Sequence, residues 1–379
     1  MLIGIEAHSL EGERTGVGRY LFNLLAEWGK LGQKLEIHNL KFILYFRNGI
    51  PVDLPESVFF ECKLLETGST AKFIHWNLPR AAAKDKVDVL FCPAYVAPLF
   101  YEGKIALTLH DIIYETHPEW FNWPSIADRI LLKFVSKKAA RKAAIIFTCS
   151  EFSLREVVKH YGVAAEKVKS IFLGVDAGVV AGDIDNPDGI KDKYGIKNNF
   201  IFYVGSLFSR RHLPEIIRAF KRLAAENGDW QLLIGGRDYT AGQNVNKLVK
   251  IANSVLGRSA IVRVDFINDY DLKLLYRACA FFIWPSDYEG FGLPPLEAMA
   301  GGAPVITSAS SSLVEVAGQA AWLIKNNSDE EEIYQAMARL AEDENLRLSL
   351  SVKGKEQAAR FSWRKCAEET LGALLKLKT

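Results

Sequence analysis

Residues 283–307 read IWPSDYEGFGLPPLEAMAGGAPVIT, and this stretch has the pattern of a strand, a glycine-containing loop and a helix. The apolar run ends at Pro285, and Pro294 and Pro295 suit the first turn of a helix, where the missing N–H is not needed. A helix that begins directly after a glycine loop presents unpaired backbone N–H groups and the positive end of its dipole. The stretch therefore predicts an anion site that is well matched to a diphosphate.

Two glutamates flank this predicted anion site. Glu289 lies in the loop, and Glu297, separated from it by seven residues, is expected in the first turn of the helix. Carboxylates accept hydrogen bonds from hydroxyls, so the pair suits a sugar on one side and a ribose on the other. The alternative is that Glu297 only favours the helix dipole and Glu289 is a solvated loop charge. The surrounding glycines and prolines favour the interpretation of the two glutamates as part of a binding site.

Outward from this stretch, short apolar runs alternate with amphipathic ones along the whole chain. The runs with the character of buried strands are 2–6, 87–92, 105–109, 144–148, 200–204, 231–234, 260–264, 281–285 and 305–306. This β-α alternation indicates parallel sheets covered on both faces, with ligands beyond the carboxyl ends of the strands. The alternation is interrupted at 174–199, a stretch rich in Gly, Asp and Asn that we interpret as a linker and hinge.

The predicted fold class is therefore α/β, with two Rossmann-like doubly wound domains facing across a cleft. We expect one domain at 1–180 and a second at 181–360, followed by a final helix within 361–379. The length of 379 residues suits two cores better than one.

Composition limits the class of protein. Hydrophobic residues make up 49% and charged residues 24%, as in soluble enzymes, and the formal net charge of +2 gives no reason to expect nucleic acid. The five cysteines are scattered, which indicates reduced thiols and a cytoplasmic protein. We find neither a leader nor an apolar run of about 20 residues, so the chain is expected to touch a membrane only peripherally. Asp269 and Asp271 are expected at a helix start, with Asp269 as its cap, so no metal site is predicted.

The segment PSDYEGFGLPPLEAMAGGAPVI resembles the signature of glycosyltransferase family four, the group one retaining transferases of the GT-B fold. The following SSSLVEVAGQAAWLI, the FSW near the end and the final helix are similar to that family too. The resemblance implies a nucleotide-diphosphate sugar as co-substrate, with no cofactor and no metal. It also implies that 1–180 is the acceptor-side domain, against which the C-terminal helix within 361–379 packs, and that 181–360 is the nucleotide-sugar-binding domain. It places Glu289 at the hydroxyls of the donor sugar and Glu297 at the ribose. The donor-binding loop it implies consists of Gly290, Phe291, Gly292 and Leu293, whose backbone holds sugar and diphosphate oxygens.

Arg210 and Arg211 follow the first strand of the second domain. Adjacent guanidiniums at that position can neutralise a diphosphate, although a solvated basic turn is the alternative. The family usually has an Arg-Lys pair here, and Arg211 is the closer match to the lysine. Segment 205–212 also resembles a variant that is frequent among bacterial mannosyltransferases, which favours GDP-mannose as donor, with UDP-sugars next.

In the first domain, Gly16 and Gly18 resemble the glycine loop that the family places across the cleft from the donor. His110 ends the strand at 105–109, and the resemblance places it near the donor sugar. The alternatives are glycines that only terminate a strand and a histidine that is satisfied by neighbouring backbone.

The stretch 129–142, from Arg129 to Lys142, contains six basic and no acidic residues. Its apolar residues recur at helical spacing: Ile130, Leu131, Phe134, Val135 and Ala139. One interpretation is a Rossmann helix that packs its apolar face in the core. The other is a contact with an anionic membrane surface.

Taken together, the sequence predicts a retaining hexosyltransferase with His110, Glu289 and Arg211 as catalytic residues. The favoured reaction is mannosyl transfer from GDP-mannose to a glycan or lipid-linked acceptor in glycan, polysaccharide or glycolipid assembly. The predicted location is the cytoplasm or the inner face of the membrane. The alternatives are a sugar-nucleotide epimerase and a non-catalytic nucleotide-sugar-binding protein. A phosphorylase would need a lysine that holds pyridoxal phosphate, and no matching motif is found.

Overall fold

The computed structural model describes residues 1–12, 14, 16–35, 40–121, 123, 125–175, 188–197, 199–240 and 244–378. The chain divides into two compact units, Met1–Gly174 with Ser362–Thr379, and Val175–Phe361. Half of the linker and hinge predicted at 174–199 lies outside the described residues, which exclude 176–187 and 198.

The first unit is a parallel sheet of seven strands in the order β3-β2-β1-β4-β5-β6-β7. The strands are β1 (Leu2–Glu6), β2 (Lys41–Phe46), β3 (Phe60–Leu64), β4 (Val89–Cys92), β5 (Lys104–Thr108), β6 (Ile145–Thr148) and β7 (Val168–Ser170). The helices between them are α1 (Gly16–Leu35), α2 (Thr70–Lys72), α3 (Leu78–Lys84), α4 (Ile113–Thr116), α5 (Ile126–Lys142) and α6 (Glu151–Tyr161). The central strand β4 is buried along its whole length, as expected for a sheet with helices on both faces.

The second unit repeats this plan with six parallel strands in the order β10-β9-β8-β11-β12-β13. The strands are β8 (Asn199–Val204), β9 (Trp230–Gly235), β10 (Ile261–Val264), β11 (Phe281–Trp284), β12 (Val305–Ser308) and β13 (Trp322–Ile324). Its helices are α7 (Asp188–Lys193), α8 (Leu213–Glu226), α9 (Val245–Leu256), α10 (Asp269–Ala278), α11 (Leu293–Gly301), α12 (Leu313–Ala317), α13 (Glu330–Glu342) and α14 (Glu344–Ala358). The predicted class, two doubly wound Rossmann-like units, is confirmed.

Each sheet has one position where the direction of winding reverses. In the first unit the reversal lies between β1 and β4, which pair directly, and in the second it lies between β8 and β11. Beyond the carboxyl ends of two such strands the following loops diverge to opposite sides, so a crevice opens there. The fold therefore predicts one ligand-binding position in each unit, at the carboxyl ends of the strands on either side of the reversal point.

The last helix, α15 (Trp363–Lys376), belongs to the first unit although it follows the second in sequence. Trp28 of α1 donates a hydrogen bond from Nε1 to the carbonyl of Ala367 at 2.9 Å, and its ring stacks on Phe42 at 5.2 Å. The chain of Gly174 passes so close that a Cβ there would lie 2.0 Å from the backbone nitrogen of Trp363. Only glycine fits at that crossing.

Two local predictions were wrong. The cap of α10 is Asn268, whose side chain accepts from the Asp271 N–H at 2.9 Å, and Asp269 is the first helical residue. Helix α11 begins at Leu293, directly after Gly292, so Glu297 is beyond the first turn. Gly292 has a left-handed φ of 115° and forms the cap of this helix. The helix therefore begins at Leu293, one residue before the prolines that predicted its start.

The apolar residues of α5 do not form one buried stripe. Val135 and Ala139 are buried, whereas Ile130, Leu131 and Phe134 are 62%, 59% and 55% exposed. The helix therefore packs on the unit with only part of its apolar surface, because at about 100° per residue Ile130 and Phe134 point away from Val135 and Ala139.

Replacing Trp28 by alanine should lower the free energy of unfolding by about 3–5 kcal/mol, because the change empties a fully buried site and removes the link to α15. Trp76→Ala is the matched control, since Trp76 is 54% exposed, and a loss below about 1 kcal/mol is expected. Urea unfolding followed by circular dichroism measures both. Equal losses for the two variants would contradict the assignment of Trp28 as the anchor of α15.

Candidate functional site

The loop after β8 turns sharply at the reversal point of the second sheet. Gly205 has φ 140°, and a Cβ there would lie 2.4 Å from the ring of Trp284, at the end of β11. The chain then forms a short 3-10 turn, Ser209–Arg211, and α8 begins after His212 with φ 49°. The turn brings both predicted arginines to the carboxyl end of the sheet, beside the loop that follows β11.

Arg211 and Glu289 form a two-pronged ion pair across this reversal point. Arg211 Nε lies 2.8 Å from Glu289 Oε1, and Nη2 lies 3.2 Å from Oε2. The remaining nitrogen, Nη1, donates to the carbonyl of Ser206 at 2.6 Å. The side chains are only 10% and 12% exposed, and the guanidinium lies 4.3 Å above the Trp284 ring. Planar, bidentate contact of this kind fixes both side chains in orientation.

The surroundings keep Glu289 ionised. Burial by itself would raise the pKa of this carboxyl, but the charges of Arg211 and Arg210 and the hydrogen bonds of Arg211 and Ser286 hold it below its usual value. Ser286 Oγ lies 3.0 Å from Glu289 Oε1. An ionised carboxylate only accepts hydrogen bonds, so it suits hydroxyl groups and not phosphate oxygens.

Arg210 lies beside this pair on the same turn. Its guanidinium is 4.4 Å above the ring of Phe208, and its Nε donates to the carbonyl of Tyr288 at 3.2 Å. Phe208 in turn stacks on Tyr239 at 5.4 Å. The structure thus brings both predicted arginines and Glu289 to one crevice.

Serines that follow β12 hold the glycine loop in place. Ser312 Oγ lies 2.7 Å from the carbonyl oxygens of both Glu289 and Phe291, and Ser311 Oγ accepts from the Glu289 N–H at 3.1 Å. A Cβ at Gly292 would meet Leu313 at 2.8 Å. The sequence reasoning treated the run of serines at 310–312 only as part of a resemblance and missed this supporting role.

Glu297 is buried in α11, the helix whose amino end the loop forms. It is 5% exposed, and the hydroxyl of Tyr276 donates to its Oε2 at 3.3 Å. A solvated charge that merely complements the helix dipole would be exposed, so that alternative is not supported.

A second polar link, missed in the sequence, joins the same two loops. The His212 ring nitrogen Nε2 lies 2.7 Å from Asp287 Oδ2, and Asn327 donates to Asp287 Oδ1 at 2.9 Å. The His212–Asp287 contact therefore adds to the links that Glu289 and the Tyr288 carbonyl make between the loops after β8 and β11.

In the first unit, His110 is buried at the carboxyl end of β5. Its Nε2 lies 3.0 Å from the carbonyl of Pro93, which follows β4, and the ring contacts Tyr20 edge-on at 4.8 Å. Burial lowers the pKa of His110 to about 4, so the imidazole is neutral and Nε2–H donates to Pro93. That contact with neighbouring backbone is the one the alternative interpretation predicted, and it leaves Nδ1 as the acceptor.

The two glycines of the first unit differ in what they require. A Cβ at Gly18 would lie 2.4 Å from the carbonyl oxygen of Ser9, so the start of α1 can approach that strand-end loop only without a side chain. Gly16 is exposed and has nothing within 4 Å of the corresponding position. Close packing therefore explains why residue 18 is a glycine, but it does not explain the glycine at residue 16.

The same loop contains a histidine–carboxylate pair that the sequence reasoning missed. Glu6, at the end of β1, is buried and accepts a short hydrogen bond from His8 Nδ1, and it also accepts from the His8 backbone N–H at 2.9 Å. An acidic residue and a histidine two positions apart, directly after the first strand, are the signal that could have found it.

No group of three or more His, Cys, Asp or Glu side chains suited to a metal ion occurs within the described ranges. Asp271, one of the two aspartates considered in the sequence, is instead paired with Lys193 at 2.6 Å and with the hydroxyl of Tyr194 at 2.7 Å.

Comparison with known proteins assigns a family to each half of the chain. Residues 14–179 match the family described as Glycosyltransferase Family 4, and residues 188–357 match Glycosyl transferases group 1. The serotype-specific mannosyltransferase WbdA of Escherichia coli is 29% identical over 72% of this chain, which spans about a third (34%) of that relative. The O-antigen chain mannosyltransferase B of Escherichia coli is 27% identical over 95% of both chains.

Solved structures share the fold. Sucrose-phosphate synthase from Thermosynechococcus elongatus superposes with a TM-score of 0.77 at 18% identity, covering 100% of this chain and 99% of the other. Anabaena Alr3699/HepE in complex with UDP-glucose gives 0.75 at 15% identity over 99% of each chain. These likenesses concern the fold, whereas the two family matches together cover most of the sequence. The chain belongs to glycosyltransferase family 4, the group 1 glycosyl transferases, and has their GT-B fold.

Proposed function

We propose that this chain is a retaining hexosyltransferase that moves a sugar from a nucleotide diphosphate to an acceptor hydroxyl in glycan, polysaccharide or glycolipid assembly. The observation that carries the proposal is the Arg211–Glu289 pair at the reversal point of the second sheet, next to the amino end of α11. Cationic and hydroxyl-binding groups stand side by side there, as a sugar joined to a diphosphate requires.

The departing diphosphate needs its developing charge stabilised. In the proposed site Arg210, Arg211 and the amino end of α11 supply positive charge and N–H donors from fixed positions. In enzymes that use a divalent cation, the metal stabilises this charge. Here the protein groups are proposed to do so, and the reaction is therefore proposed to be independent of metal.

The sugar is held through its hydroxyls in this proposal. The ionised Glu289 accepts from the donor sugar, Glu297 accepts from the ribose, and the backbone of Gly290, Phe291, Gly292 and Leu293 contacts sugar and diphosphate oxygens. His110 is assigned to the donor sugar as a neutral hydrogen-bonding group, as its lowered pKa favours. We assign the backbone of Gly16 and Gly18 to the same reacting groups.

Retention is proposed to follow a front-face route. The acceptor oxygen forms its bond to the anomeric carbon on the side from which the diphosphate leaves. The bond from that carbon to the diphosphate oxygen breaks, and its electron pair stays on the oxygen. The acceptor proton passes to the departing phosphate, so no enzymatic nucleophile is needed.

GDP-mannose is proposed as the donor and a glycan or lipid-linked sugar as the acceptor. Two relatives are named as mannosyltransferases, and segment 205–212 resembles that group. One structural neighbour was solved with UDP-glucose, which makes UDP-sugars the next donors to test.

Glu289→Gln should lower sugar transfer about 100-fold while GDP binding stays within threefold, because the variant keeps the shape but loses the charge that accepts sugar hydroxyls. Glu297→Gln should instead weaken GDP about tenfold through the ribose. Release of nucleoside diphosphate from GDP-mannose and UDP-glucose, together with calorimetric titration of GDP and UDP, measures both effects. Glu330→Gln is the control, since that carboxylate is exposed and pairs with Arg218.

Unchanged transfer in Glu289→Gln would contradict the assignment of that residue. Full activity is expected in EDTA, and a loss that Mg²⁺ or Mn²⁺ restores would contradict independence of metal. Conversion of the sugar without release of nucleoside diphosphate would indicate an epimerase.

A peripheral membrane contact is proposed for α5. Across the described residues, no helix has the length and apolar character needed to cross a bilayer. The exposed residues of α5 include four apolar side chains in its amino-terminal half, Ile126, Ile130, Leu131 and Phe134, beside the charged Asp128 and Arg129. Its carboxyl-terminal half exposes the basic Lys138, Arg141 and Lys142. Exposed apolar side chains beside a basic cluster are the features of a surface that lies on anionic lipid, here the inner face of the membrane.

The neighbouring loop extends this surface. Lys142 Nζ donates to the carbonyl of Leu99 at 2.6 Å, and the next residue, Phe100, is 84% exposed. An aromatic side chain beside lysines can enter the headgroup region of a bilayer.

The variant with Ile130, Leu131 and Phe134 replaced by serine should bind vesicles containing phosphatidylglycerol at least tenfold more weakly, because the inserted apolar area is lost. Replacing Lys138, Arg141 and Lys142 by glutamine should have a similar effect, and salt should weaken the unaltered protein. Vesicle co-sedimentation measures binding. Val52→Ser with Val58→Ser is the control, because both valines are exposed in the same unit. No binding to anionic vesicles, or equal binding to neutral ones, would contradict the proposal.

A further inference from the structure

The Glu6–His8 pair has a geometry that orients one ring nitrogen outward. Glu6 is 1% exposed and receives both the His8 Nδ1 and the His8 backbone N–H on the same oxygen, Oε1. The His8 side chain remains 25% exposed. Because Nδ1–H is fixed on a carboxylate, the neutral ring has its lone pair on Nε2, which has no hydrogen-bond partner among the described residues.

The pair lies where the fold opens a crevice. Glu6 is the last residue of β1, whose neighbour across the reversal point is β4. Pro93, directly after β4, carries the carbonyl that holds His110. His8 and His110 thus both follow strand ends near the reversal point, and each is fixed through one ring nitrogen.

A second unsatisfied group adjoins His8. The hydroxyl of Ser9 is buried without a hydrogen-bond partner in the described part of the chain. Buried polar atoms are nearly always paired in native proteins, so this hydroxyl, on the residue that follows His8, indicates a place where a water or a polar ligand completes the set. No role in the proposed donor site uses either group.

We propose that His8 is an acceptor-binding residue whose Nε2 accepts a hydrogen bond from a hydroxyl of the acceptor sugar, with Glu6 as its positioning residue. This inference rests on the proposed transferase function and names a residue for the acceptor, which that function leaves unassigned. A sugar hydroxyl is a fitting ligand because it donates a hydrogen bond to the lone pair of a neutral imidazole.

The charges that face His8 determine its pH behaviour. Burial and the charge of Arg47 lower the pKa of His8. The hydrogen bond and charge of Glu6, with a contribution from Glu11, outweigh them, so the pKa is raised above its ordinary value. The ring also meets Phe73 edge-on at 5.9 Å. Below that pKa Nε2 carries a proton and can no longer accept from a hydroxyl, so acceptor binding should weaken as the pH falls through it.

A purely structural pair is the alternative, and the chain contains a control for it. His160 and Glu156 lie on the surface of α6 with a nitrogen–oxygen distance of 3.6 Å, and His160 is 31% exposed. This pair has the same residue types, and its histidine is about as exposed as His8, but it lies within a helix and not beyond a strand end.

The test measures initial rates between pH 5.5 and 8.5 with GDP-mannose as donor and octyl α-D-mannopyranoside as acceptor probe. His8→Gln should lower kcat/KM for the acceptor about tenfold at pH 7.5, leave KM for the donor within twofold, and abolish the fall at low pH. Glu6→Gln should move that fall to lower pH, because the carboxylate no longer stabilises the imidazolium. His160→Gln should match the unaltered chain.

Thermal unfolding checks that each variant is folded. A second measurement needs no variant: site-resolved modification by diethylpyrocarbonate, in which the probe should slow the reaction of His8 at least threefold and leave that of His160 unchanged.

Retention of the low-pH fall in His8→Gln, or equal modification of His8 with and without the probe, would overturn the inference. Failure of the proposed function is distinct, because the unaltered chain would then release no nucleoside diphosphate from GDP-mannose or UDP-glucose.

Discussion

The ion pair between Arg211 and Glu289 is the interaction on which the proposed donor site depends. Burying two charges is costly unless each is paired, and removing one partner of a buried pair typically costs about 3–5 kcal/mol. Here the guanidinium uses all three nitrogens and also lies over Trp284. Gly205 is required by this arrangement, because a side chain there would occupy the space of the Trp284 ring.

The pair also explains how the proposed donor site would combine two opposite requirements. A diphosphate needs cations and a sugar needs hydroxyl acceptors, and the two groups are joined by one bond in the donor. Glu289 holds Arg211 in place, Arg210 lies beside the pair at the same crevice, and the serines at 310–312 hydrogen-bond the loop that contains Glu289. A site preorganised in this way has little left to rearrange when charge develops on the leaving group, which is the condition for electrostatic catalysis.

The two units use the same topology for different chemistry. At the reversal point of the second sheet lie arginines and a carboxylate, whereas the first sheet presents imidazoles fixed through one nitrogen, His8 by Glu6 and His110 by Pro93. Their pKa values are shifted in opposite directions. Burial lowers the pKa of both imidazoles, but at His8 the hydrogen bond and charge of Glu6, with a contribution from Glu11, together outweigh burial and raise the pKa. Sheets with the same kind of winding thus present imidazoles in one unit and an arginine–carboxylate cluster in the other.

The sequence by itself determined the fold class and the residues of the glycine loop, because hydrophobic periodicity and Gly-Pro punctuation are local properties of the chain. It could not determine which side chains meet across a sheet. The pairing of Arg211 with Glu289, 78 residues apart, the serine supports and the Glu6–His8 contact depend on strand order, which brings distant loops together. The same applies to α5. The helical spacing of its apolar residues put Ile130, Phe134 and Val135 in one group, but in the folded structure Val135 is buried and the other two are exposed. Sequence specifies local conformation, but burial and long-range contact exist only once the sheets have assembled.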